Sequence, residues 1–115
     1  MPIYEEKKSK FISYIFDVND KNDIKELKLK LAKEHKKAKH IVHAYVCESN
    51  GIRSGGYSDD GEPQGVAGKP LYSLLETKYL INKAIFVVRY FGGIELGKSN
   101  LLRAYLKAAL LIFES

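Results

Sequence analysis

Eight residues near the C-terminus match a pattern that binds nucleotide phosphates. Residues 92–99 spell G-G-I-E-L-G-K-S, which satisfies G-x-x-x-x-G-K-[ST] between an apolar run of strand length and a helical segment. In such a loop Lys98 would contact phosphates and Ser99 would bind magnesium. Only 16 residues follow Ser99, which leaves no later strand for a second magnesium-binding acid. We therefore predict no hydrolysis of ATP or GTP, and at most anion binding at a helix N-terminus.

A second group of ionisable residues is the turn Ser58-Asp59-Asp60-Gly61-Glu62-Pro63. Its three carboxylates could bind magnesium or calcium, although the spacing is not that of the twelve-residue EF-hand loop. Adjacent acids before a Gly-Glu-Pro sequence are also common in plain turns. We interpret the segment as a structural or partner-contact loop, and we predict no metal, no cofactor and no catalytic residue.

The histidines His40 and His43 form a third candidate group. Because side chains three positions apart on a strand point to opposite faces, the two imidazoles cannot bind one metal ion together. We interpret both as hydrogen-bonded packing residues and retain His40 as a candidate site residue.

The fourth group interleaves arginines with aromatic residues: Arg89-Tyr90-Phe91, then Arg103 and Tyr105. Such residues beside a glycine turn could stack bases and bind phosphate. Alternatively, Phe91 and Tyr105 belong to the core and the two arginines pair with the acids of the 58–63 turn. Both interpretations remain open at this point.

Composition limits the class of protein. The chain has 115 residues, of which 45% are hydrophobic and 29% charged, as expected for one globular domain. The single cysteine, Cys47, excludes an intrachain disulfide and a four-thiolate zinc site. Neither a run of membrane-spanning length nor a signal-peptide pattern is found. We predict a cytoplasmic protein with no membrane contact.

The positive charge is concentrated in the first third of the chain. Residues 1–40 contain 11 lysines and 7 acids, while the whole chain has a net charge of +5. A solvated, lysine-rich helix face is the simpler interpretation. The alternative is a surface that faces phosphates and binds nucleic acid in a salt-sensitive manner.

Apolar and β-branched runs predict four strands. They are Lys10–Phe16, Ile41–Cys47, a stretch around Arg53–Ser58, and Ala84–Tyr90. The connection over residues 49–68 is rich in glycine and too long to be a simple turn, so we expect it to be functional.

Helical spacing predicts three helices. The first opens with a capping box at Asp23 and Glu26 and ends near residues 35–39. Pro70 lies in the first turn of the second, and the third spans Ser99–Ile112. The expected buried stripes are Ile24, Leu27 and Leu31; Leu71, Leu74, Leu75 and Tyr79; and Leu101, Tyr105, Ala108 and Ile112. We predict an α+β fold with a single four-stranded, mostly antiparallel sheet and helices packed largely on one face.

Several segments, taken together and in order, resemble the IMPACT/YigZ family. They are Ser58–Pro63, Ala67–Pro70, Val88–Ile94, Leu96–Gly97 and Leu102–Tyr105, with weaker matches at Lys8–Ile12 and Ala38–His40. The resemblance runs from Ser9 to Tyr105. Val66 replaces a threonine usual in the family, and Lys98–Asn100 replaces a small, glycine-rich run, which explains how the phosphate-loop pattern arose on a family glycine turn.

The resemblance implies a fold related to RNase PH and to the second domain of a small-subunit ribosomal protein. It also implies a role near translation, because eukaryotic relatives regulate the response to amino-acid starvation and bacterial relatives have been proposed to bind nucleic acid. No catalytic residues are established for the family. We expect residues 1–115 to form a single IMPACT-type domain, without the second, elongation-factor-G-like domain of bacterial relatives.

Two functional hypotheses follow. The first is a regulatory binding module that contacts RNA or a protein of the translation machinery. Its predicted surface comprises Lys69, Arg89, Gly92, Gly93, Gly97, Lys98 and Arg103, together with the loop Ser58, Asp59, Asp60, Gly61, Glu62 and Pro63 and with His40 as a further candidate. The alternative is a small enzyme for a phosphate-containing or peptide substrate at the Asp59/Asp60/Glu62 loop. That enzyme would require the carboxylates, His40 and Arg89 to converge in one concave pocket.

Overall fold

The computed structural model describes residues 1–114 and contains strands and helices in mixed order. In chain order the elements are β1 (Ile3–Glu6), β2 (Ser9–Asp17), α1 (Lys21–Glu34), β3 (His40–Ser49), β4 (Ile52–Ser58), α2 (Gly68–Thr77), β5 (Lys83–Tyr90) and α3 (Lys98–Leu110), followed by a 3-10 turn (Leu111–Phe113). Within residues 1–114, no helix has the length and apolar character needed to cross a membrane.

The strands form one antiparallel sheet in the order β1-β2-β5-β3-β4. The prediction of four strands was wrong because β1 was missed. This strand has only four residues and joins β2 through a two-residue turn at Lys7 and Lys8, whose φ angles are 47° and 68°. Such turns usually contain asparagine or glycine, and two lysines give no such signal.

Helices cover both faces of the sheet. The face that carries Phe11, Val42 and Ile85 packs against α2 and α3. The opposite face, with Tyr45 and Phe86, packs against α1. The prediction that the helices pack largely on one face therefore holds for α2 and α3, while α1 forms a separate layer on the other face.

The first helix begins three residues before the predicted position. Asp20 is the N-cap, and its carboxylate accepts hydrogen bonds from the N–H groups of Asn22 and Asp23 at 2.9 and 3.1 Å. The Asp23 carboxylate in turn accepts from the N–H of Asn19 at 2.7 Å. The two side chains form a reciprocal cap, so the predicted pairing of Asp23 with Glu26 was wrong.

The buried faces of the other two helices follow the predicted stripes with one exception. Leu71, Leu74 and Leu75 are buried on α2, whereas Tyr79 lies beyond the end of that helix and is 92% exposed. On α3 the residues Leu101, Tyr105 and Ala108 are buried, and Ile112 lies half-buried in the 3-10 turn.

Candidate functional site

The site lies at the end of the sheet where the central strand β5 finishes. Arg89 on β5 stands between Phe11 on β2 and His40 on β3 in the strand register. The N–H of Lys39 donates to the carbonyl of Arg89 at 2.8 Å, which fixes the start of β3 beside this strand end. Residues that are 78 positions apart in sequence, Phe11 and Arg89, are thereby neighbours.

Glu62 lies at the centre of a buried polar cluster at this sheet end. The Nη1 group of Arg89 donates to Oε2 of Glu62 at 2.7 Å, and the hydroxyl of Tyr105 donates to the same oxygen. Nε2 of His40 lies 3.4 Å from Oε1. The side chains of Arg89 and Glu62 are each 3% exposed. We refer to Glu62, Arg89, Tyr105 and His40 as the Glu62 cluster.

Burial determines the electrostatics of the cluster. Burial, and then the negative charge of Glu62, raise the pKa of Tyr105 far above its usual value. The phenol therefore stays protonated and remains a hydrogen-bond donor to the carboxylate. Arg89 also approaches Oγ of Ser9 at 3.4 Å, and its guanidinium lies 5.7 Å from the ring centroid of Phe11. A buried carboxylate compensated by an arginine and a phenol stabilises the fold only while the partners remain together.

The neighbouring acids are engaged with backbone groups. The Asp59 carboxylate accepts from the N–H groups of Gly65, Ala67 and Gly68 at 3.0, 3.2 and 2.8 Å. Because α2 has no side-chain cap of its own at Ala67, Asp59 caps that helix from eight residues upstream. The segment 58–68 is thus folded around Asp59.

Asp60 and His40 attach the same loop to β3. The Asp60 carboxylate accepts from the N–H of Ile41 at 2.7 Å, and its carbonyl lies 2.6 Å from Nδ1 of His40. His40 is therefore a hydrogen-bonded packing residue, as predicted. Among residues 1–114, no group of three or more His, Cys, Asp or Glu side chains is arranged to hold a metal ion.

The enzyme hypothesis requires the carboxylates, His40 and Arg89 to converge in one concave pocket, and the structure meets this requirement only in part. His40, Glu62 and Arg89 do converge, but Asp59 and Asp60 bind backbone N–H groups. The functional atoms of Glu62 and Arg89 are buried, so a substrate could reach them only if the 58–68 loop moved. In this closed form the cluster joins the loop to the sheet.

The arginines differ from both sequence-based interpretations. Arg89 pairs with an acid of the 58–63 turn, whereas Arg103 is exposed and donates to Asn100 Oδ1 at 2.6 Å. Tyr105 belongs to the core, but Phe91 is 37% exposed. The prediction that placed Arg89 on an open binding surface was wrong, because the central strand carries its side chain into the core. The other three charged residues of that predicted surface, Lys69, Lys98 and Arg103, are exposed.

The phosphate-loop pattern has a structural explanation. A Cβ atom at residue 92 would lie 2.1 Å from the carbonyl oxygen of Lys8, so only glycine allows the β1–β2 turn to approach. The N–H of Gly92 donates to Oγ of Ser9 at 3.3 Å. Gly97 adopts a φ of 78° before α3, and Gly93 has a φ of 91°. Each of these glycines is required by the local backbone.

His43 lies on the opposite face of the sheet from His40, as the spacing predicted. Its ring packs 5.2 Å from that of Phe86. Burial, and then the positive charge of Lys28, lower its pKa to about 4. The predicted hydrogen bond is not found at the buried Nδ1 of His43, which has no partner within residues 1–114.

The lysine excess noted in residues 1–40 divides into two sets, and one set lies around the Glu62 cluster, which the sequence did not predict. Of the 11 lysines in residues 1–40, five lie on α1 and six flank two turns. The six are Lys7, Lys8, Lys10, Lys36, Lys37 and Lys39, and all are exposed. Within residues 1–114 none of them forms an ion pair with a carboxylate. We call these six residues the basic end.

Backbone contacts with the end of β5 bring the two lysine groups together. Lys8 contacts Gly92, and Lys39 bonds to Arg89. The two groups, residues 7–10 and 36–39, therefore lie next to β2 and β3, which flank β5 and are about 10 Å apart at a strand spacing of about 4.8 Å. Phe91 lies between them, with the ammonium of Lys39 at 4.2 Å from its ring centroid. The only sequence signal was the local excess of lysine.

The five-stranded antiparallel sheet and three helices define an α+β domain. The sequence model of the Impact N-terminal domain matches residues 7–113. The chain therefore belongs to the IMPACT family.

The relatives that it matches are longer proteins. It is 40% identical over 119 residues to an IMPACT family member of Haemophilus influenzae, covering 98% of this chain and 58% of that protein. It is also 40% identical over 103 residues to IMPACT family member YvyE of Bacillus subtilis, covering 89% and 46%. Identity to IMPACT family member YigZ of Escherichia coli is 36% over 104 residues, covering 90% and 51%. The chain thus spans about half the length of these relatives.

Two solved structures share the fold. One, described as a hypothetical protein, has a TM-score of 0.91 at 33% identity and covers 98% of this chain and 55% of its own. The other is described as the two-domain translational regulator Yih1, with a TM-score of 0.63 at 22% identity and coverage of 93% and 45%. At 22% identity the second comparison establishes the fold alone.

Proposed function

We propose that this chain is a regulatory binding module of translation that contacts RNA through the basic end. The observation that carries the proposal is the set of six exposed lysines, free of carboxylate partners within residues 1–114, around the end of β5. The link to translation is supported by a solved structure that shares the fold and is described as a translational regulator.

Phosphate binding explains why so much unpaired charge would be kept at one place. Lysines at one sheet end repel one another, which costs stability unless an anion is present. A nucleic acid backbone supplies several phosphates at once, and their neutralisation releases bound counterions. A protein partner with scattered acids would not need this density of positive charge.

The Glu62 cluster fixes the backbone segments that adjoin the basic end. Arg89 is held by Glu62 and leads directly into Tyr90 and Phe91, while His40 follows Lys39. Both groups of lysines are therefore attached to backbone that the buried cluster fixes. A binding surface on such a rigid base loses little conformational entropy when RNA binds.

The proposal is tested by fluorescence anisotropy with a labelled single-stranded 12-nucleotide RNA at several salt concentrations. We expect log Kd to change with log salt with a slope of roughly 3 to 4 if most of the six lysines contact phosphates, at about 0.7 per contact. The variant Lys36→Gln/Lys37→Gln/Lys39→Gln should reduce this slope by about 2.

Two further triple variants locate the surface. Lys21→Gln/Lys25→Gln/Lys28→Gln removes the same charge from exposed positions of α1 and should change the slope by less than half as much. Lys69→Gln/Lys98→Gln/Arg103→Gln tests the surface predicted from sequence. If all three variants reduced the salt slope equally, RNA binding would be unspecific charge attraction and the basic end would not be the binding surface. Absence of RNA binding at low salt would refute RNA as the partner, and ribosome co-sedimentation would then test for a protein contact.

A further inference from the structure

We infer that the basic end selects single-stranded RNA, because the exposed ring of Phe91 stacks on a base that the lysines have brought close; this inference rests on the proposed function. A phosphate-binding surface made of lysines alone would accept duplex and single strand alike. An aromatic ring beside it adds an interaction that only an unpaired base can make.

Phe91 has the exposure and position that stacking requires. It follows directly after β5, is 37% exposed, and lies between the two lysine groups of the basic end. Its exposed part lies where phosphates bound to the two lysine groups would flank it.

Two cationic side chains of the protein lie beside the Phe91 ring. The Lys39 ammonium lies 4.2 Å and the Arg89 guanidinium 5.6 Å from the ring centroid. Arg89 is fixed by Glu62, whereas Lys39 ends in an exposed, flexible ammonium. A base can therefore displace Lys39 from the ring, and the released ammonium can bind the phosphate of the same nucleotide.

The backbone on both sides of Phe91 is held in place. Arg89 accepts a hydrogen bond from Lys39, and Gly92 donates to Ser9 while packing against the carbonyl of Lys8. The backbone that carries the ring therefore has little freedom to move. Pre-positioning of this kind lowers the entropy cost of stacking. In a duplex both faces of each base are already stacked, so Phe91 would gain nothing.

The test uses the whole chain and two labelled probes of equal length, a 12-nucleotide oligouridylate and a 12-base-pair RNA duplex. We expect Phe91→Ala to weaken binding of the single strand by about 5- to 150-fold, the range for loss of one stacked base, and to change duplex binding by less than twofold. The salt slope should not change, because no charge is removed. Phe91→Trp should restore single-strand affinity.

Two controls separate stacking from folding. Phe91→Leu keeps an apolar side chain without a ring and should lose affinity like Phe91→Ala. Tyr79→Ala removes an aromatic side chain that is 92% exposed outside the basic end and should leave binding unchanged. Equal binding of single strand and duplex by the unmodified chain, or unchanged single-strand affinity in both Phe91→Ala and Phe91→Leu, would overturn this inference while leaving the proposed function intact. Failure of the unmodified chain to bind either probe at low salt would instead overturn the proposed function.

Discussion

Arg89 and Glu62 are 27 positions apart in sequence and form a buried ion pair with a nitrogen–oxygen distance of 2.7 Å. One member lies on the central strand and the other in the 58–68 loop. The pair therefore joins the loop to the end of the sheet, together with the contacts of Asp60 with β3.

Removing the carboxylate should be costly. Glu62→Ala leaves Arg89 buried without its partner and should lower the free energy of unfolding by about 3–5 kcal/mol, measured by urea denaturation. The exposed pair Arg53–Glu48, with a separation of 3.4 Å, provides the control, and Glu48→Ala should cost less than about 1 kcal/mol. The double variant Glu62→Leu/Arg89→Met should lose less than the sum of its single changes. Simple additivity would contradict the coupling.

Gly92→Ala should destabilise the protein through a steric clash. The added methyl group would lie 2.1 Å from the Lys8 carbonyl oxygen, so the β1–β2 turn must move. Gly51→Ala is the matched control, because Gly51 has a φ of +78° but open space around it, and its cost should be limited to about 1–2 kcal/mol of backbone strain. A smaller thermal shift for Gly92→Ala than for Gly51→Ala would show that the turn adapts easily.

Asp59 should contribute more to stability than its neighbour Asp60. Asp59 accepts three backbone hydrogen bonds and caps α2, while the Asp60 carboxylate accepts one from Ile41. Asp59→Ala should cost about 2 kcal/mol, at the upper end for a cap, and Asp60→Ala about 1 kcal/mol or less. Urea denaturation of both variants gives the comparison. A loss of less than about 0.5 kcal/mol for Asp59→Ala would mean that the cap of α2 is dispensable.

Acid should destabilise the protein through His43. Its pKa is about 4 in the folded chain and 6.5 as an ordinary histidine, so between these values the unfolded chain binds more protons and stability falls as the pH falls. The loss should approach about 3 kcal/mol by pH 4 and then stop growing. His43→Phe should flatten the pH dependence between 6.5 and 4. An unchanged slope in this variant would assign the effect to other groups.

Lys98→Ala should leave the fold and its stability nearly unchanged. Lys98 is the exposed first residue of α3, where a positive charge is mildly unfavourable next to the helix dipole. We expect a change of less than about 0.5 kcal/mol, in either direction. We also predict no turnover of ATP or GTP in a phosphate-release assay. Turnover that disappears in Lys98→Ala would contradict this prediction and support the enzyme hypothesis.

Local sequence patterns were sufficient for most elements but not for the sheet edge. The strands containing Val42 and Ile85 and the stripe of Leu71 and Leu75 are set by burial, which leaves a periodic signal. In contrast, β1 is short and its turn has two lysines in left-handed conformations. Gly92, more than 80 positions later in the chain, packs closely against this β1–β2 turn. A tertiary contact of this kind leaves no signal in the local sequence.

The candidate site was predictable as a set of residues but not as an arrangement. Glu62, Arg89 and His40 were each selected, yet the burial of Glu62 and Arg89 beside His40 depends on β5 being central in the sheet. The basic end was missed for the same reason. Residues 7–10 and 36–39 are separate in sequence, and only the order of the strands brings them to one end.

The central position of β5 also determines when the chain can fold. This strand pairs with both β2 and β3, although the ribosome produces it after four other strands. Until Lys83–Tyr90 has left the exit tunnel, the nascent chain has two separate hairpins, each with an unpaired inner edge that is open to other chains. Folding of this domain should therefore be cooperative and should wait for β5, and arrested chains that end before Lys83 should aggregate or be degraded.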